Sequence, residues 1–260
     1  VGDTKGFAIP AERNPNGLPA ELVFPWDQAA YVVTWAEHLG VDEPVRDRMS
    51  VLQKMLGDPS KVSSVLAAWQ QAVTELTKAV DGSNDGMGLA TANENLKARW
   101  AGTARDAAVD YVDRLATSTR SNNGHIAQIA TYLNDLGAYV TTAYTNATSN
   151  VQSTAASLAQ YEAARKKAQT NALIVIFTGG AGGTDSYQSA ALEFVDRFMT
   201  DTKSLLDNLS KYMVDTGGKI DDVITKINQV EVPAAIAPAA LTVPGWQPRN
   251  PTGPGWGTPS

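Results

Sequence analysis

The sequence predicts an all-α fold, an elongated antiparallel helical bundle with an irregular segment at each end. Three observations carry that prediction. The 13 prolines avoid the middle of the chain: six lie at or before Pro59 and seven at or after Pro233, and an interior proline costs a helix ~3 kcal/mol. Two long stretches alternate apolar or small residues at spacings of four and three, the mark of helices that pack along a seam. Glycine clusters then supply the breaks between periodic stretches.

In chain order, residues 1–26 contain Pro10, Pro15, Pro19 and Pro25 and read as an extended N-terminal arm. Asp27 stands where it would cap a short helix that ends at Gly40, and a second short helix starts near Glu43-Pro44 and ends at Gly57. Asp58-Pro59 is a cap residue followed by proline at the first helical position. Val62, Leu66, Trp69, Val73, Leu76 and Val80 then share a face. "DGSNDGMG" at 81–88 interrupts this helix, which resumes as "LATANENLKAR" up to Trp100.

From Thr103 to about Gln169 the spacing predicts one long helix. Its seam runs Val112, Ala116, Thr119, Asn123, Ile126, Ala130, Leu133, Gly137, Val140, Tyr144, Ala147, Val151, Thr154, Leu158, Tyr161. At 1.5 Å per residue such a rod is about 100 Å long. "TGGAGGTDS" forces a turn at 178–183. A second seam follows from Leu192 through Thr202, Leu209 and Thr216 to Val230, with Gly217-Gly218 a place for a kink. The helical bundle therefore spans 27–230, and 231–260 form a Pro/Gly/Trp-rich tail holding Trp246 and Trp256.

Composition narrows the function. The net charge is −6 and no basic patch stands out, which argues against nucleic acid as a partner. Without cysteine, disulfides and thiolate chemistry are excluded. The first residues lack the basic and apolar regions of a classical signal peptide. "NALIVIF" at 171–177 is far shorter than the ~20 apolar residues of a membrane-spanning helix.

Candidate chemistry is thin. "DGSNDG" places Asp81, Ser83, Asp85 and Gly86 as in a calcium loop, but Ala92 stands where the bidentate glutamate belongs. The glycine run at 178–183 lacks the lysine of a phosphate loop and a strand to feed it. His38 and His125 sit in no metal-ligand or nucleophile spacing and read as surface or capping residues. Asp106, Asp110 and Asp113 fit a solvated helix face. No catalytic residue, cofactor or metal site is predicted. The apolar tip Leu173, Ile174, Val175, Ile176 and Phe177 is the candidate contact surface, for a partner, a membrane or the bundle's own helices.

The break at Trp100-Ala101-Gly102 carries a further signal. Gly102 suits a sharp reversal, Trp100 has a ring to bury beside it, and Thr103 is placed to cap the outgoing helix. The stretch from Gly57-Asp58-Pro59 through Trp100 and Gly102 to Ala104, Ala107, Ala108 and Tyr111 closely resembles the WXG superfamily of type VII (ESX) secretion substrates of actinobacteria and related bacteria. The resemblance covers roughly residues 57–120. It implies a helical hairpin exported folded and without catalysis, with Trp100 and Gly102 as turn and export determinant. It also implies partners: the type VII machinery or a chaperone, a second helical hairpin, or further copies of the chain.

The resemblance implies a secreted or cell-surface location. A hydrophobic tip is where a cytosolic chaperone binds in the long-helix PPE branch, which this chain resembles in architecture only. The family's Tyr-x-x-x-Asp/Glu signal is missing after every tyrosine. The 81–88 insert and the very long second helix also depart from small family members. Two alternatives are an α-helical pore-forming toxin that inserts residues 172–177, and the carrier domain of a secreted polymorphic toxin.

Overall fold

The computed structural model describes residues 7–83, 86–176 and 185–234. It is all-α, with no β-strand element among the described residues: α1 (Trp26–Leu39), α2 (Asp42–Lys54), α3 (Pro59–Asp81), α4 (Leu89–Arg99), α5 (Thr103–Ile176) and α6 (Asp185–Gln229), preceded by one 3-10 turn at Ala20–Leu22. The chain divides into two units, Val1–Glu75 with Asn123–Asn228, and Leu76–Asn122 with Gln229–Ser260.

The core of the first unit draws on four helices. Ala29, Val32, Val33 and Ala36 form the inner face of α1, and Val45, Met49 and Leu52 that of α2. They meet Tyr144 to Leu158 of α5 and Ala191, Val195 and Phe198 of α6. Both short helices present apolar side chains at i, i+3 or i+4 and i+7, one stripe wide, so each buries one side.

The proline-rich arm is irregular in backbone yet anchored through its side chains. Phe7 and Phe24 are 6 % and 5 % exposed. Phe7 stacks on Trp26 at 5.7 Å, and Phe24 meets the same indole edge-on at 4.9 Å. The Trp26 Nε1–H donates to the Arg13 carbonyl at 3.0 Å. Asn14 closes a turn by accepting from the Leu18 N–H and donating to the Leu18 carbonyl. Side chains thus hold a segment whose prolines lack N–H groups for regular pairing.

The helix ends follow the residues closely. Gly40 takes the left-handed conformation with φ 72°, and the Val41 N–H reaches back to the Ala36 carbonyl at 2.9 Å, closing α1 with a Schellman motif. Asp27 lies within the first turn of α1 and not before it; the cap position belongs to Pro25, and Asp27 pairs with Arg13 at 2.8 Å. Asp58 accepts from the Lys61 N–H at 3.3 Å, the N-cap bond its position implies, with Pro59 leading the helix.

α5 has 74 residues and α6 has 45. Within the first unit they run antiparallel: Tyr139 stacks on Tyr212 at 4.0 Å, and Lys219 lies over the Tyr132 ring at 5.9 Å. Numbers therefore rise along one helix as they fall along the other. On α6 the residues seven apart at 195, 202, 209, 216 and 223 are all buried. Two of them are threonines; the Thr202 hydroxyl satisfies itself on the Phe198 carbonyl at 2.6 Å. The α5 seam has no exposed member from Val112 to Tyr161. Gly217-Gly218 leaves α6 helical throughout.

α3 behaves differently. Its face grades from Val62 and Val65, each about half exposed, through partly covered Leu66, Trp69 and Val73 to buried Val80. At residues 81–88 the break is tight. Ser83 and Gly86 exchange two backbone hydrogen bonds, and a Cβ on Gly88 would stand 2.2 Å from the Gly82 nitrogen. Only a hydrogen fits there.

Candidate functional site

The Trp100–Gly102 break lies between α4 and α5 in the second unit. The Trp100 N–H still donates to the Leu96 carbonyl at 3.1 Å, but its ψ of 162° turns the chain out of helix. Gly102 then has φ 85°, the region L side chains resist, and its carbonyl accepts from the Asp106 N–H at 3.3 Å to open α5. Thr103 is the first residue of α5, not its cap; the residue that precedes the helix is Gly102.

The indole is the larger surprise. Trp100 is 55 % exposed and does not wedge the helix ends together as its size suggests. It stands at the C-cap of α4, where the backbone has turned from helical to extended. Ala101, Ala104 and Ala107 beside it are exposed, while Ala108 and Tyr111 are partly covered. A large aromatic raised on a rigid turn among small residues is the kind of anchor that protein interfaces concentrate their binding energy on. Chemically the site offers shape, apolar area and one indole N–H donor.

The other candidates fall as follows. Asp81 of the calcium-like loop is engaged by Arg120 at 2.9 Å, and no cluster of three metal-ligating side chains occurs among the described residues. Asp85 lies outside the described residues, as do Trp246, Trp256 and the glycine turn at 178–183. Leu173, Ile174, Val175 and Ile176 are in the last turns of α5, which runs beyond Gln169; their side chains, and Phe177 altogether, lie outside the described residues. No described helix is long and apolar enough to cross a membrane.

His38 is exposed, with its Nδ1 2.7 Å from the Thr34 carbonyl. His125, expected at the surface, is half-buried in mid-α5 with no hydrogen bond to its Nδ1. Its place one residue before Ile126 puts it against the packed side of the helix. Asp106 and Asp110 lie on the solvated face, paired with Arg105 at 2.8 Å and Arg114 at 3.0 Å.

Three contacts escape the linear pattern. Tyr31 donates to Glu162 at 2.6 Å, and Lys166 holds the same carboxylate at 2.7 Å. The Lys166 ammonium, with the Tyr31 hydroxyl second, draws the Glu162 carboxyl below its ordinary range. Trp35 meets Tyr161 edge-on at 5.8 Å, and Tyr161 meets Phe194 in turn. In the second unit Asn93 of α4 donates to Asp113 of α5. Only the last left a trace in the sequence: Asn93 falls between Leu89 and Leu96 in the row where α4 should be apolar.

No family model matches the chain, and neither a curated protein nor a solved structure matches it.

Proposed function

We propose that the chain is a non-enzymatic, type VII (ESX) secretion substrate that acts outside the cell as a structural or interaction subunit. The observation that carries this reading is the exposed Trp100 on a break closed by left-handed Gly102 between two helices. The Gly57-Asp58-Pro59 start of α3 supports it: Gly57 has φ 64° and Asp58 caps the helix. Trp100 and Gly102 form the hairpin turn and the export determinant. The ring is displayed for a receptor or partner and is not spent on the chain's own core.

The partners are the secretion machinery or a chaperone, together with a second helical hairpin or another copy of the chain. Such a partner can supply the Tyr-x-x-x-Asp/Glu element, which follows no tyrosine of this sequence. The protein works at the cell surface or in the medium and needs no cofactor.

Export is tested in an actinobacterial host carrying a type VII system and in the same host without the secretion ATPase. The reading expects the protein in the medium of the first and only in the cytosol of the second. Equal release from both would overturn it.

A further inference from the structure

In the first unit, a groove of about 220 Å³ runs between α5 and α6. Its lining falls within residues 150–157 of one helix and 194–201 of the other, about 10 Å of each at 1.5 Å per residue. The α5 wall is built of small polar side chains and lies low, while α6 contributes Phe194 and Phe198. Among the described residues, none of α1, α2 or α3 lines it.

Thr154 is the informative residue. Thr141, Thr142, Thr145 and Thr148 each donate their hydroxyl to a carbonyl of the preceding turn of α5. Thr154 is 8 % exposed and makes no such bond among the described residues, yet its oxygen is not sealed from solvent; it opens on the groove. Asn150 and Ser157, partly covered one turn to either side, bring an amide and a hydroxyl that also make no side-chain hydrogen bond among the described residues. On the other wall Phe198 is buried and Phe194 is partly covered, with Tyr161 against it at 6.5 Å. The charges balance. Arg197, paired with Glu193 at 3.3 Å, and Asp201 line the same groove, one of each sign.

We propose that this groove binds a neutral sugar, one pyranose ring, with its C–H face against Phe194 and its hydroxyls on Asn150, Thr154 and Ser157. A sugar hydroxyl both donates and accepts, so it answers a threonine or serine oxygen and either end of the asparagine amide. The ring's C–H groups carry slight positive charge and suit the negative face of an aromatic side chain. Arg197 and Asp201, both exposed, offer a donor and an acceptor to the outermost hydroxyls and together select neither sign of ligand. Water alone would satisfy the hydroxyl wall and leave the aromatic wall wet; an apolar chain would cover the phenylalanines and leave Thr154 unsatisfied. The volume, that of about seven waters at ~30 Å³ each, takes one ring. A free sugar and a unit of a longer glycan share this chemistry. The inference is independent of export.

The full chain is titrated by ¹H–¹⁵N NMR with the methyl pyranosides of glucose, mannose and galactose. Sorbitol, which has the hydroxyls without a ring, and cyclohexanol, a ring with a single hydroxyl, are the controls. The proposal expects saturable shifts of the Asn150 side-chain amide and of residues 150–157 and 194–201 with at least one glycoside, and none with either control. A ligand of that size binds with a Kd on the order of 1 mM. The trisaccharide of the preferred sugar separates the sources: tighter binding identifies a glycan unit, equal binding a free sugar. Thr154→Val removes the hydroxyl at nearly constant shape and weakens binding roughly 3- to 10-fold, the loss of one hydrogen bond. Ser153→Phe covers the groove from an exposed position and abolishes binding, and it stays informative if Thr154→Val does not fold. No saturable shift with any glycoside up to about 50 mM, far above that Kd, an equal response to a control, or binding unchanged by both variants overturns the proposal.

Discussion

Glycines inside and between the helices give a set of substitutions whose signs differ for stated reasons. Gly217 and Gly218 are helical in α6, and an ideal Cβ at either meets nothing within 4 Å. Alanine there removes the backbone freedom of the unfolded chain and loses no contact, worth ~0.8–1 kcal/mol per site. The double variant Gly217→Ala/Gly218→Ala should therefore gain roughly 1.5–2 kcal/mol, and Tm should rise by roughly 3–8 °C. Gly137→Ala should gain also, since its Cβ would stand 3.9 Å from Val62 Cγ1, an ordinary contact.

Two other glycines should do the opposite. Gly88→Ala puts a Cβ 2.2 Å from the Gly82 nitrogen and 2.5 Å from the Val80 carbonyl, so the backbone of the break must move. Gly102→Ala has open space but φ 85°, costing ~1–2 kcal/mol. Urea unfolding followed by far-UV circular dichroism reads all five positions. If Gly217→Ala/Gly218→Ala destabilises the protein, α6 is not the continuous helix described, and the packing argument built on its seam fails with it.

Two further outcomes rest on burial. Trp100 is a little under half buried, so Trp100→Ala removes about 100 Å² of cover and costs about 1.5–2.5 kcal/mol. Phe198→Ala, at a site 1 % exposed, costs ~3–5 kcal/mol; urea midpoints of the two variants should differ accordingly, and equal losses would put the indole back in the core. Burial also pushes the Tyr144 phenol from its ordinary 10.0 up to about 12. Stability linked to it is complete below pH 10 and declines as pH rises toward 12, by up to about 2.7 kcal/mol. Urea unfolding at pH 9 and pH 11.5 should show that decline, and Tyr144→Phe should flatten it.

Helix positions and seams were legible because both are local. Val195, Thr202, Leu209, Thr216 and Val223 announce a buried row by spacing alone, even with two hydroxyls in it. Gly40 and Asp58-Pro59 mark their helix ends for the same reason, whereas α2 stops at Lys54, three residues short of Gly57. Contacts between distant segments left no such trace. Nothing in the proline-rich arm says that Phe7 will stack on Trp26, or that Tyr31 will find Glu162.

Trp100 shows a different failure. Residue size argues for burial, but Trp100 stands where the backbone leaves α4, and the ring there is 55 % exposed. The apolar period of α3 likewise locates a face without saying how far it is covered: Val62 and Val65 remain half exposed. Periodicity gives direction, and tertiary contact decides depth.

The most direct measurement of the central claim compares export of wild type, Trp100→Ala and Trp69→Ala from one host with an active type VII system. Trp69 is also a helix tryptophan, partly covered on α3, and controls for the loss of an indole as such. The account predicts that Trp69→Ala reaches the medium like wild type, while Trp100→Ala accumulates folded in the cytosol. Trp100→Ala secreted at the wild-type level would contradict it.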